Sequence, residues 1–357
     1  MNVVIVGVNP PSYIFGNLLS SLGVNVVHWA PGKGLTRRGD NQGIIIKLDH
    51  YYSRNGRFER RFQTERMYKP KIVYSQPTSV DLFIFSGCYD QVITYSKRLM
   101  VHYPSFSKTK CLVQVKSWKS IEYLRTILIS NPVYWISTMA EGYFSNNKEY
   151  REVKGIFIKK TALQIDASQY GEAAEFAVLL SELLKTNFFE VDNILQPNRI
   201  FISLYTPMVL YIIKYIKYHW QENLKPLAFL ADFYKNVQPF LYTHILNNGP
   251  FKEVREFASI YKYDEKKLYG LISSILSRPG DTILKMLVQS ALHNKYEIDE
   301  AIDLATEMIR WYDYFGKDVK GLEHLFSESR QIWENTLLKE FKLQDIKMPK
   351  TLLLDKN

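Results

Sequence analysis

Cysteine is nearly missing from this chain: Cys88 and Cys111 are the only two in 357 residues. Two thiols without metal-ligand spacing exclude a disulfide framework and a cysteine-built zinc site, and they point to a reducing, cytoplasmic compartment. Runs of Lys or Arg are missing too, although 46 basic residues against 36 acidic ones leave a net charge of +10. Scattered positive charge favours small anions, phosphates and carboxylates, over a polynucleotide. No basic segment precedes an apolar stretch at the N-terminus, as a signal peptide requires. An unbroken apolar run of membrane length is also lacking. The longest, "IFISLYTPMVLYIIKYIKYHW" (200–220), is interrupted by Pro207, Lys214 and Lys217. A spanning helix needs about 20 residues with few or no charges, so this run reads as a buried or subunit-facing helix. Neither a fixed-period repeat nor a low-complexity tract occurs.

What is present is enough apolar material for two cores. Hydrophobic residues make up 46% of the chain, and 25 Tyr with 20 Phe supply bulky packing groups. Single cores stop growing near ~250–300 residues, so this length implies a second domain. In the first half, short strand-like runs at 2–6, 24–29, 81–87, 111–117 and 133–139, the first two β-branched, alternate with helical patterns at 13–23, 90–103 and 118–129. Apolar strands alternating with helices predict a mostly parallel sheet covered on both faces, a Rossmann-like α/β domain with ligands at the carboxyl ends of its strands. Residues 30–75 read as an insertion containing the strand-like pieces "GIIIKL" and "RFERRF". "REVKGIFIKKTALQI" reads as a further strand, "GEAAEFAVLLSELLK" as an amphipathic helix and "NFFEVDN" as a strand. Beyond residue 195 the pattern is helical, at 208–219, 226–246, 250–260, 264–277, 280–294, 298–314 and 328–340. The expected organisation is a dinucleotide-binding-type domain over 1–145, a connecting α/β segment over 146–195, and a helical substrate or dimerisation domain over 196–357.

The turn after the first strand, "GVNPPS" (7–12), stands where a dinucleotide-binding protein carries G-x-G-x-x-G. There the first glycine makes the tight turn, the second lets the backbone approach a pyrophosphate, and the third lets helix and strand pack closely. Gly7 keeps the first role, Asn9 takes the second position and the small Ser12 the third. Pro10 and Pro11 suit a helix start but remove two donors. The helix dipole remains for an anion. At the end of the second strand His28 and Trp29 replace the acid that would bind a ribose, and Lys33, Arg37 and Arg38 follow. Those cations suit a 2′-phosphate, so NADP(H) is expected over NAD(H). Ser86 and Gly87 in "SGCYD" mark the next coenzyme-contacting loop, with Cys88 a packing residue.

Several stretches together resemble the opine-metallophore dehydrogenases, the family of staphylopine dehydrogenase. They are "VGVNPPS", "GRFERRFQTERMYKP" before "VDLFIFSGCYDQVITYSKRL", "VYWISTMAEGYF" and "LLKTNFFEVDNILQPNRIFISLYTPMVL". The resemblance covers roughly 1–215 and rests on order and spacing rather than on any one motif. It implies an NADPH-dependent reductive condensation, in which a 2-oxo acid and an amino-acid-derived amine form an imine that hydride reduces to a secondary amine. Such chemistry needs a placed nicotinamide, cationic groups for carboxylates and a proton donor. Lys116 and Arg199 are the candidate carboxylate partners. The family's His-Pro in the stretch matching "SLYTPMV" is here Thr206-Pro207, so the active-site histidine is missing. Glu141 is the nearby carboxylate, and Tyr205 or Thr206 are positioned to hold a water. His219, His244, His293 and His324 lie on the helical half, and none is marked as a replacement. Two other readings stand beside this one: a catalytically silent binding or scaffold subunit, and a ketopantoate-reductase-like 2-oxo acid reductase. A homodimer or a pathway-enzyme partner is expected, with neither nucleic acid nor membrane, and no metal site is read.

Overall fold

The computed structural model describes residues 1–30, 43–54, 57–75, 79–87, 89–102, 108–137, 139–145, 151–166, 170–219, 235–237, 239–259 and 295–337. The chain opens with strand β1 (Asn2–Val6), helix α1 (Pro10–Ser20) and strand β2 (Asn25–Trp29). A hairpin of β3 (Ile44–Arg54) and β4 (Arg57–Tyr68) follows, then the short β5 (Ile72–Val73). Strand β6 (Leu82–Ser86), helix α2 (Tyr89–His102), strand β7 (Lys110–Gln114), helix α3 (Trp118–Ile127) and strand β8 (Val133–Ile136) continue the alternation. Next come β9 (Ala140–Ser145), β10 (Glu152–Ile158), β11 (Lys160–Asp166), helix α4 (Tyr170–Leu184) and β12 (Asn187–Glu190).

The main sheet runs in the order β12-β11-β8-β7-β6-β1-β2-β5. Its pairings are parallel except between β8 and β11. Alternate side chains of each strand enter two separate cores, as the two-residue period of a strand requires. Val3, Ile5, Leu82, Ile84, Leu112 and Tyr134 pack with α1 and α4. Val4, Val6, Phe83, Phe85, Val113 and Trp135 pack with α2 and α3. Each such residue, once buried, contributes about 1.5–3 kcal/mol relative to an exposed one. Cys111 sits in the second core, where burial pushes its thiol well up and leaves it unreactive.

The insertion and the segment after β8 build a second sheet, ordered β4-β3-β10-β9. It lies over α1, whose Ile14 packs against Gly142 of β9 and Gly155 of β10. Helix α1 is therefore sandwiched between two sheets, and that is why eight of its residues are buried rather than one stripe. The stretch "REVKGIFIKKTALQI" is not one strand. It breaks at Lys159 into β10, which joins the second sheet, and β11, which joins the first. The range 146–195 so supplies strands to both sheets.

Beyond β12 the chain is helical. Helix α5 (Leu195–His219) begins well before the predicted residue 208 and carries Pro207 inside it, at the loss of the amide that would reach Ser203. A π-helical turn (Leu241–Asn247), α6 (Lys252–Ser259), α7 (Lys295–Tyr314), α8 (Lys320–Ile332) and a second π-helical turn (Trp333–Leu337) follow. Predicted helices 264–277 and 280–294, and most of 226–246, lie outside the described residues. The buried stripe Asn198, Ile202, Thr206, Val209 and Ile213 has the 3–4 spacing of an inward helix face. Ser329 on α8 donates to the Leu210 carbonyl (2.8 Å) and Lys214 pairs with Glu328 (2.7 Å), fixing α8 on α5. Among the described residues no helix is long and apolar enough to cross a membrane.

Candidate functional site

The strand order reverses direction at β1, so β1 and β6 flank the crevice at the switch point, where open α/β sheets take ligands. Two backbone positions there have left-handed φ, Gly7 at 117° and Gly87 at 137°. Gly7 is doubly constrained, because a Cβ on it would also lie 3.0 Å from the Tyr95 ring. From Gly7 the chain enters α1 through a closed capping box. Asn9 Oδ1 accepts from the Ser12 amide (2.9 Å), and Ser12 Oγ accepts from the Asn9 amide (2.8 Å). The other end of Asn9, Nδ2, donates to the Ser86 carbonyl (2.7 Å), tying the two sides of the crevice together. Pro10 and Pro11 have no N–H, and the Tyr13 amide already bonds the Asn9 carbonyl (3.0 Å). The first turn of α1 thus keeps its dipole but presents no free amide from residues 9–13.

Beneath the turn His28 is fully buried, with Nδ1 3.2 Å from the Gly7 carbonyl and Nε2 2.8 Å from the Tyr68 hydroxyl. Burial lowers its pKa to about 4, so the ring is neutral. A carbonyl only accepts, which places the ring hydrogen on Nδ1 and makes Tyr68 the donor to Nε2, an assignment from the network. Gly16 of α1 makes room for this bond, since a Cβ there would come within 2.6 Å of His28 Nε2. The position expected to contact a ribose is a buried strut under the turn.

One strand over, just past the carboxyl end of β7, lies an ion pair. Lys116 Nζ and Glu141 Oε2 are 3.0 Å apart, with side chains only 8% and 17% exposed. Two residues read separately from the sequence, one as a carboxylate partner and one as a proton donor, are brought together as an ion pair. Gln114 places Glu141: its Oε1 accepts from the Met139 and Ala140 amides (both 2.9 Å), and its Nε2 donates to the Ala140 carbonyl (2.7 Å). The start of β9 is therefore pinned to the end of β7. Asn198 of α5 donates to the Val115 carbonyl (3.2 Å), bringing the helical part against the same strand end.

The other candidates are distributed. Arg199 sits between the Trp118 and Phe251 rings (4.7 and 4.5 Å to the centroids) and pairs with Glu253 at 3.4 Å, in the seam between the α/β and helical parts. Thr206 is fully buried on α5, and its hydroxyl has no partner among the described residues. Tyr205 lies on α5 with its side chain outside the described residues, as do the side chain of His219 and all of His293. His244 packs against Gly321 and Phe240, and His324 lies beside Glu328 at 3.6 Å. Lys33, Arg37, Arg38 and Cys88 fall outside the described residues. Gln114, Asn198 and Glu307, which brace this region, were not read from the sequence. Only Gln114 left a signal, as the one amide in the apolar run "CLVQV".

For a dinucleotide laid across the crevice, Gly7 and Gly87 keep the backbone approach open. Ser86 Oγ, buried at the end of β6 without a partner among the described residues, offers a hydroxyl beside it. The pyrophosphate charge would meet the α1 dipole and side chains rather than amides of the first helical turn.

No family model and no curated protein matches the sequence. Solved structures do match. The ternary complex of D-mandelate dehydrogenase with NADH and anilino(oxo)acetate is 16% identical with a TM-score of 0.59, covering 94% of this chain and 99% of that one. Octopine dehydrogenase with NADH and L-arginine is 13% identical with a TM-score of 0.55, covering 93% and 89%. A probable 2-dehydropantoate 2-reductase from Bacillus subtilis is 12% identical with a TM-score of 0.53, covering 93% and 100%. The likeness is one of fold, and it runs through both parts of the chain.

Proposed function

We propose that this chain is a nicotinamide-dependent oxidoreductase that reduces a small 2-oxo acid, or the imine such an acid forms with an amino-acid-derived amine, in the opine manner. The observation that carries the reading is the Lys116–Glu141 pair, secluded at the carboxyl end of β7 beside the switch-point crevice. Solved structures of this fold include complexes of NADH with an oxo-acid derivative and of NADH with an amino acid. The bound coenzyme would supply hydride, and the opine reading favours its phosphorylated form, NADP(H). Gly7, Ser86, Gly87 and the α1 dipole would hold its near half, with Asn9 and Pro10 shaping the turn. Lys33, Arg37 and Arg38 would meet the 2′-phosphate.

The protein's own contribution is charge and a proton. Lys116 Nζ donates to Glu141 Oε2 at 3.0 Å, which fixes where the amino group sits. It serves as a cationic donor to a substrate carboxylate or to the oxygen or nitrogen where negative charge develops. Glu141 orients that group, and Lys116 gives the proton that the reduced oxygen or nitrogen needs and regains one from solvent, the role left open by the missing histidine. Thr206 and Tyr205 remain candidates for placing a water. The test is oxidation of NADPH and NADH with a panel of 2-oxo acids, each alone and with amino acids. Sustained turnover with one pairing supports the reading.

A second reading, a catalytically silent binding or scaffold subunit, is favoured by one observation: the capping box and two prolines that close the first turn of α1. Fluorescence of the reduced coenzyme on mixing separates the two. An enzyme must change it, and a silent subunit need not.

A further inference from the structure

The segment immediately around Lys116 is held from outside the α/β part. Glu307, on α7, is 8% exposed and reaches across the seam to the start of α3. Its Oε1 accepts from Ser117 Oγ (2.6 Å) and the Lys119 amide (3.1 Å), and its Oε2 accepts from the Trp118 amide (3.0 Å). These are the first amides of α3, which no helical carbonyl can satisfy, and the helix dipole adds its attraction for a carboxylate. Ser117 is itself the N-cap of α3, accepting from the Ser120 amide while donating to Glu307. On the other side of Lys116, Asn198 bonds the Val115 carbonyl. The Trp118 ring is flanked by Arg199 and Trp311. Lys116 is thus the residue between two clamps, at 115 and 117–119, both supplied by the helical part.

Burying a carboxylate against neutral donors is costly unless every lone-pair direction is used. Burial alone pushes the Glu307 carboxyl up, while the Ser117, Lys119 and Trp118 bonds and the Lys119 charge pull it down. An apolar residue would join two domains at lower cost. What a carboxylate adds is a fixed position for each donor it binds, and those donors flank the site lysine.

We infer that Glu307 is a positioning residue for Lys116: it fixes residues 117–119 so that the Lys116 ammonium meets Glu141 and the crevice in one geometry. The inference rests on the functional reading of the Lys116–Glu141 pair, but its first two readouts need no activity. One is amide hydrogen exchange at Trp118 and Lys119. The other is the rate of reductive methylation of Lys116, followed by peptide mass spectrometry. Both are compared among the full-length wild type, Glu307→Gln, Glu307→Ala and Ser329→Ala, the last loosening the helical part away from the seam.

Glu307→Gln keeps the volume but turns one acceptor into a donor facing an N–H. Exchange at Trp118 and Lys119 should accelerate by about 10-fold or more, as local opening becomes easier. Methylation of Lys116 should rise with it, and Glu307→Ala should exceed Gln in both. Ser329→Ala should leave both near wild type. Where turnover is measurable, kcat should fall by up to about 10²-fold, the scale on which an ångström of misplacement acts, with coenzyme KM little changed. Unchanged exchange and methylation in Glu307→Gln would overturn the inference. An equal change in Ser329→Ala would also overturn it, by showing only general loosening. If exchange and methylation respond but no substrate is ever turned over, the positioning role stands and the enzymatic reading fails.

Discussion

His28 and Asn9 show how single residues convert a nucleotide-binding turn into a braced one. The neutral His28 ring bridges Gly7 and Tyr68. In the folded protein its pKa is about 4, against 6.5 when unfolded. The unfolded chain therefore binds the extra proton first as pH falls. Stability from this group is whole above pH 6.5 and declines from there toward about pH 4, by about 3 kcal/mol in total. His50, lowered to about 4 in the same way, acts in the same direction. Urea midpoints at pH 7.5 and 5 should show the loss, and His28→Asn should flatten it while lowering stability at pH 7.5. Asn9→Ala removes both the cap and the buried bond to Ser86, and should cost about 1–2 kcal/mol by the same measurement. The residue pattern was partly legible. "VGVNPPS" announced an altered turn, and Lys116 and Glu141 were each marked by position. Their meeting was not legible, because it depends on Gln114 pinning β9 to β7, a contact between residues about 25 apart in sequence.

At the scale of elements, α1 sets which donors its N-terminus offers. Its buried position between two sheets and its Pro-Pro start give a rigid N-terminus whose donors are engaged or missing. Restoring donors should restore phosphate affinity. The double change Asn9→Gly with Pro11→Ala opens the capping box and returns one amide. Reduced coenzyme should then bind about 10-fold tighter, worth about 1.4 kcal/mol, as one charge-assisted bond would allow. Unchanged or weaker binding by fluorescence titration would place the pyrophosphate elsewhere. The alternating strands and helices of the main sheet were readable because each is a short apolar run bounded by turn residues. The second sheet was not, since nothing local tells that β10 and β11, separated by Lys159 alone, belong to different sheets. The early start of α5 was hidden by Pro207, which reads as a breaker yet is tolerated inside a helix held by α7 and α8.

At the scale of the molecule, a basic chain with a net charge of +10 presents a Rossmann-like sheet on which the residues flanking Lys116 are clamped by the helical part. The missing acid at the end of β2 and the cations Lys33, Arg37 and Arg38 that follow it motivate the expected coenzyme preference. NADPH should bind about 10-fold tighter than NADH, and Arg37→Ala with Arg38→Ala should erase the difference without unfolding the protein. The central claim is narrower: the Lys116–Glu141 pair carries the charge and proton handling of a coenzyme-dependent reduction. Its most direct test is the rate of NADPH oxidation, with the best oxo acid or oxo acid–amine pair, in wild type, Lys116→Met and Glu141→Gln. The account predicts that each variant loses about 10²–10⁴ in kcat while coenzyme affinity stays within a few-fold of wild type. Full activity in either variant, or wild-type coenzyme binding without turnover of any pairing, would contradict it.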